Sequence, residues 1–170
     1  MPLYRNGQFV SDEWSFAGDD DDILGAGPLV VSKARFLKDR DVLLARNAPL
    51  GLVVQAGENF TDIEEDLLHF AMIALTLPKF TDGRAYSLAY LLRDRYDFSG
   101  EIRARGDVLR DQVSFLLRSG FDSLEVSNEP TIKALAAGVV KGVSVRYQPA
   151  ADDTRDISPE GARPWLRLAR

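Results

Sequence analysis

The chain has 170 residues, a formal net charge of −5 and no cysteine. The acidic balance argues against a general nucleic-acid binder. The missing thiols exclude disulfides, thiolate metal sites and cysteine-held iron–sulfur clusters, and a single histidine makes a zinc site an unexpected one. Apolar residues at 45% and charged residues at 28% suit one soluble domain with ends to spare. No apolar run approaches the about 20 residues of a membrane helix. The polar start, acidic from early on, is unlike a signal peptide, so the cytoplasm is the expected compartment.

Residues 1–27 read as an N-terminal arm. Asn6-Gly7 between Tyr4 and Phe9 signals a hairpin, because both residues tolerate the positive φ of a tight turn. Trp14 and Phe16 are expected to pin the arm to the body. The aspartates 19–22 lack the alternating ligands and turn glycine of a calcium loop and read as a solvated loop. Leu29-Val30-Val31 is a strand candidate, followed by a helix from Lys33 to Arg46 capped by Ser32, its apolar face interrupted at Arg40. Leu50–Val54 reads as a buried strand. Thr61 and Glu64 have the spacing of a capping box for a helix ending near His69, whose imidazole has no Ser, Cys or ligand pattern beside it.

Met72–Leu77 is the next buried strand, and Ala85, Leu88, Ala89 and Leu92 then recur at helical spacing. Glu101–Arg105 is a polar strand, expected near an edge or facing a cleft. A helix is expected from Val108 to Ser119, closed by Gly120 and Phe121. Strand Ser123–Val126, a helix with Pro130 in its first turn and a last strand over Val143, Val145 and Tyr147 complete a β/α alternation through residues 28–148. Residues 149–170 form a C-terminal tail that docks on this chain or on a partner. Such alternation implies an α/β fold with a mostly parallel sheet. A doubly wound open sheet is the first choice and a partial (β/α) barrel the second.

Two turns carry more charge than chain reversal needs. One is Lys79-Phe80-Thr81-Asp82-Gly83-Arg84; the other is Arg103-Ala104-Arg105-Gly106-Asp107. In parallel α/β sheets ligands bind beyond the carboxyl ends of the strands, where helix N-termini favour anions. Lys79, Thr81, Arg84, Arg103 and Arg105 are therefore the candidate ligand-binding set for a small anion, with Asp82 and Asp107 as candidate proton carriers. The competing reading makes Asp107 a helix cap, Asp82 a turn residue and the arginines partners of neighbouring acids. Arg105-Gly106-Asp107 also spells the integrin-binding tripeptide, a coincidence in a cytoplasmic chain. No phosphate loop, dinucleotide fingerprint or nucleophile elbow is present; no cofactor motif is visible, so the cofactor that a redox enzyme would need is unknown from sequence.

The block Pro78–Arg84, with Ser87, Leu91-Leu92-Arg93, Arg95, Gly100-Glu101, Arg103-Ala104, Gly106–Leu109, Asp111-Gln112 and Gly120–Asp122, resembles the hallmark stretch of an uncharacterised bacterial family. Its genes typically sit beside assimilatory sulfite reductase, and its label is "oxidoreductase probably involved in sulfite reduction". The resemblance covers about residues 28–148. It implies a pathway and not a reaction. The expected role is an accessory or assembly protein of sulfite reduction that binds a small anion or the reductase. The alternatives are an enzyme acting on a small sulfur-containing or phosphorylated anion, and a metabolite-sensing module.

Overall fold

The computed structural model describes residues 1–139 apart from Asp19, Leu24, Phe80 and Thr81. The strand expected over Val143–Tyr147 and the tail 149–170 lie outside the described residues. Strands β1 (Leu3–Arg5) and β2 (Gln8–Val10) form the expected hairpin, with Asn6 at φ 51° and Gly7 at φ 84°. β3 (Ser15–Phe16) runs parallel to β4 (Leu29–Ser32). The Ser32 hydroxyl accepts the Arg35 amide at 3.1 Å and opens α1 (Lys33–Lys38). The expected single helix breaks at Asp39, where φ is −114°, and resumes as α2 (Arg40–Leu44). The Asp39 carboxylate folds back on Arg35, and Arg40 pairs with the buried Asp66 at 2.9 Å, which accounts for the cation interrupting the apolar face.

After β5 (Leu50–Val54) the chain makes a 3-10 turn, Glu64–His69. The expected capping box does not form. Asn59 Oδ1 takes the Thr61 amide at 3.1 Å, and Glu64 accepts the Tyr96 hydroxyl at 2.6 Å. His69 is exposed. Then come β6 (Met72–Leu77), α3 (Arg84–Asp94), β7 (Glu101–Gly106), α4 (Val113–Arg118), β8 (Ser123–Glu125) and α5 (Glu129–Ala136). Asn128 caps α5 by accepting the Thr131 amide at 3.0 Å, and Pro130 sits in its first turn.

Among the described residues eight strands lie in the order β2-β1-β8-β7-β6-β5-β4-β3. β4 to β8 are parallel neighbours in chain order. A doubly wound sheet must reverse its direction of winding once. Here successive right-handed crossovers step the same way, which lays the helices on one face. The mostly parallel α/β sheet is thus found, in its second expected arrangement, a half-barrel. On the helix side Phe36, Leu43, Leu92, Val113 and Leu116 close over Val31, Leu52, Ile73, Leu75, Ile102 and Leu124. The other, concave face carries Val30, Val53, Met72 and Ala74, covered by Trp14 and Phe16.

The chain itself bounds this curvature. Val10 ends the strand at one border of the sheet and Ser15 begins the strand at the other. Five residue steps reach at most about 18 Å, whereas eight strands laid flat at about 4.8 Å spacing would be about 34 Å wide. The borders must curl toward each other. Residues before 28 are therefore part of the sheet and supply three of its strands. β7 is central and not an edge strand.

Candidate functional site

β6 ends at Leu77 and α3 begins at Arg84, and Pro78, Lys79, Asp82 and Gly83 lie between them at the carboxyl rim of the sheet. The Asp82 amide donates to the Lys79 carbonyl at 3.0 Å, closing a turn. Gly83 caps α3 without a side chain; the Arg84 amide instead finds Asp82 Oδ1 at 3.1 Å. The same carboxylate grips the Arg84 guanidinium, with Nε at 2.9 Å from Oδ1 and Nη2 at 2.6 Å from Oδ2. These side-chain bonds, helped by the backbone bond, hold the Asp82 carboxyl down at about 2. Arg84 is raised by the same partner. A carboxylate held that low stays ionised near neutrality and is a weak base. Its geometry suits it to orienting Arg84 better than to carrying a proton.

Pro78, Lys79, Asp82, Gly83 and Arg84 line a cleft of about 480 Å³. Lys79 is exposed and makes no ion pair among the described residues. Two cations therefore face one carboxylate where a helix begins. Thr81, the remaining member of this group, lies outside the described residues. Arg84 also approaches the loop after β5, since a Cβ on Gly57 would stand 3.1 Å from its Nη1.

The second turn joins the first through the backbone. The Asp107 amide donates to the Leu77 carbonyl at 2.9 Å, which puts the exposed Asp107 on the adjoining stretch of rim. Gly106 makes that approach possible. Its φ is +113°, and a Cβ there would stand 2.3 Å from the Leu77 oxygen. Asp107 does not cap α4. Gln112 Oε1 takes the Leu109 amide at 3.1 Å, and the helix starts only at Val113.

Arg103 and Arg105 do not reach the cleft lining. Both project from β7 onto the concave face, where the expectation of Arg103 as an anion ligand meets its correction. Its side chain is 0% exposed. Nε donates to Glu101 at 3.0 Å, and Nη1 donates to Asp12 at 2.7 Å and to Glu125 at 3.4 Å. Burial pulls the guanidinium down, but the Asp12 bond and the Glu101 and Asp12 charges together raise it. Arg105 Nε lies 3.2 Å from Glu125, with its guanidinium 4.2 Å above the Phe16 ring. Arg5 pairs with Glu101 at 3.4 Å. Three cations meet three carboxylates here, so the cluster is neutral within itself.

Sequence reading missed Asp12, whose partner lies 91 positions away. The one available signal was the period-two spacing of Asp12, Trp14 and Phe16, which puts all three on one side of an extended segment. Lys33 was also missed. It is buried, with Nζ 2.8 Å from the Asn59 carbonyl and 3.0 Å from Asp62, and it fastens α1 to the loop after β5.

Fold and cleft together define a singly wound (β/α) half-barrel with a small polar cleft at the carboxyl rim of its strands. Residues 51–157 match the family described as a bacterial protein of unknown function, DUF934, and the chain belongs to that family. No curated protein and no solved structure matches it.

Proposed function

We propose that this chain is a cytoplasmic accessory or assembly protein of assimilatory sulfite reduction, and that its rim cleft receives a small oxyanion. The pathway comes from the family resemblance. The observation that supports an anion is the pairing of exposed Lys79 with an Arg84 already oriented by Asp82, at the first turn of α3. Orienting the guanidinium beforehand lowers the ordering cost of binding, and the helix start adds partial positive charge. The partner in this reading is sulfite reductase.

The protein's melting temperature in sodium sulfite, sulfate, phosphate and chloride at matched ionic strength tests the cleft. Stabilisation by an oxyanion that is lost in Lys79→Ala is the expected result; identical behaviour in all four salts sinks it. A deletion strain tests the pathway. Growth should return with sulfide and not with sulfite, and the reductase should co-purify with the tagged chain.

A second reading rests on Asp107. An exposed carboxylate on the neighbouring loop could serve an enzyme, an oxidoreductase linked to sulfite reduction or another acting on a sulfur-containing or phosphorylated anion. Turnover by the purified protein, abolished in folded Asp107→Ala, would establish it. Oxyanion stabilisation without turnover or association with the reductase would favour a metabolite sensor.

A further inference from the structure

The segment between β2 and β3 crosses the concave face as a strap. Asp12 bonds Arg103 on β7. The Trp14 ring lies among β4, β5 and β6, where a Cβ on Gly51 would stand 3.2 Å from Trp14 Cζ3. Phe16 pairs with Val30 on β4 and lies under Arg105. From Asp12 to Phe16 the strap thus touches β7, β6, β5 and β4 within four residue steps, and the Trp14 amide donates to Asp12 Oδ1 at 3.2 Å. Glu13 and Ser15, the alternate positions, are exposed.

Two features set the strap apart from a core element. Its backbone is held to β4 and the residues before it by the Ser15 amide on Pro28 at 3.1 Å and the Ala17 amide on Val30 at 2.9 Å. It also leaves the surface beneath incompletely satisfied. Asp12 meets Arg103 through Nη1 alone, while Arg103 Nη2 and the Thr76 hydroxyl, on the same sheet face, are buried without a hydrogen-bond partner among the described residues. An arginine fork facing one carboxylate oxygen has a second donor to give.

We propose that the concave face is a groove for an extended protein segment carrying a carboxylate and two aromatics at alternate positions, and that residues 12–16 occupy it in the free chain as an autoinhibitory placeholder. The groove offers a cation for the carboxylate, a glycine niche for the first ring and a guanidinium over the second. The occupant in trans is a partner's acidic–aromatic strand, bound across the sheet in place of the strap. The affinity seen from outside is reduced by the fraction of chains in which the strap is seated.

The test uses the full chain and a labelled synthetic peptide of residues 9–18. Trp14→Ala weakens the strap but leaves the groove intact. This variant should bind the peptide at least tenfold more tightly than wild type does, and a control peptide carrying Asp12→Ala and Trp14→Ala should not bind. In wild type the Ser15 and Ala17 amides should exchange hydrogen faster than those of β5 and β6. Equal or absent binding by a variant whose circular dichroism matches wild type overturns the proposal. So does exchange of Ser15 and Ala17 only at the rate of global unfolding, and that measurement decides the matter alone if Trp14→Ala does not fold.

Discussion

Arg103 and Asp12 are 91 positions apart in the chain and 2.7 Å apart in the fold. The contact ties the N-terminal strap to the middle of the sheet. It also explains why β7 alternates Glu101, Arg103 and Arg105 with Ile102 and Ala104. One side of the strand packs under helices and the other side sits in a closed set of charges.

The two partners should not be equivalent. Asp12→Asn keeps Glu101 and Glu125 on the guanidinium and should cost about 1–2 kcal/mol. Arg103→Leu takes the shared cation from all three carboxylates, leaving Glu101 to Arg5 and the buried Glu125 to Arg105, and should cost more, about 3 kcal/mol. Urea unfolding of both variants gives the comparison, and equal midpoints would refute the asymmetry.

Asp82 should titrate below the ordinary carboxylate range. Its carboxyl, ordinarily at 3.8, is held at about 2 by Arg84. A carboxyl depressed on folding contributes stability above its unfolded value, and that contribution fades as pH falls through the folded one. The interaction is therefore intact at neutrality and is lost from about pH 4 down to about pH 2. Carbon-13 NMR of the side-chain carboxyl should show a midpoint near 2 in wild type and near the ordinary value in Arg84→Ala. An unchanged midpoint in the variant would show that Arg84 is not the cause.

Gly106 and Gly83 should respond oppositely to alanine. At Gly106 the positive φ and the 2.3 Å approach to the Leu77 oxygen predict a loss of about 3 kcal/mol or more, visible as a lower melting temperature. At Gly83, φ is −82° and a Cβ meets nothing within 4 Å, so stability should hold within about 0.5 kcal/mol or rise.

Arg93 should prove a structural staple. Its guanidinium donates to the Gly100 carbonyl at 2.9 Å and to the Gly120 carbonyl at 3.2 Å, and contacts the Phe98 carbonyl and Asp122. Arg93→Ala leaves several of these acceptors without their donor, each costing about 1–3 kcal/mol if it stays dry. Arg93→Lys, with a single ammonium, should recover only part. Full recovery by lysine, read from melting temperatures, would argue against a role for the fork.

Several of these features could be read from the sequence because they are local. The Asn6-Gly7 turn, the Ser32 cap, the buried runs Leu50–Val54 and Met72–Leu77, and the charged crossing at Lys79–Arg84 each announce themselves within a few residues. The strand order does not. Alternation is the same for a sheet that reverses and one that does not, and the decision lies in which side each helix packs. The Thr61–Glu64 spacing misled because Asn59 and Tyr96 offered competing bonds. Arg103 looked like a free cation because two of its three acids, Asp12 and Glu125, are distant in sequence.

The first hairpin of the chain borders the sheet through β1, whose neighbour is β8, Ser123–Glu125. On a ribosome residues 3–10 must therefore wait for more than a hundred later ones before their docking place exists. Closing so long a loop is slow. Until it closes, β8 presents an open margin, a template for pairing with another chain.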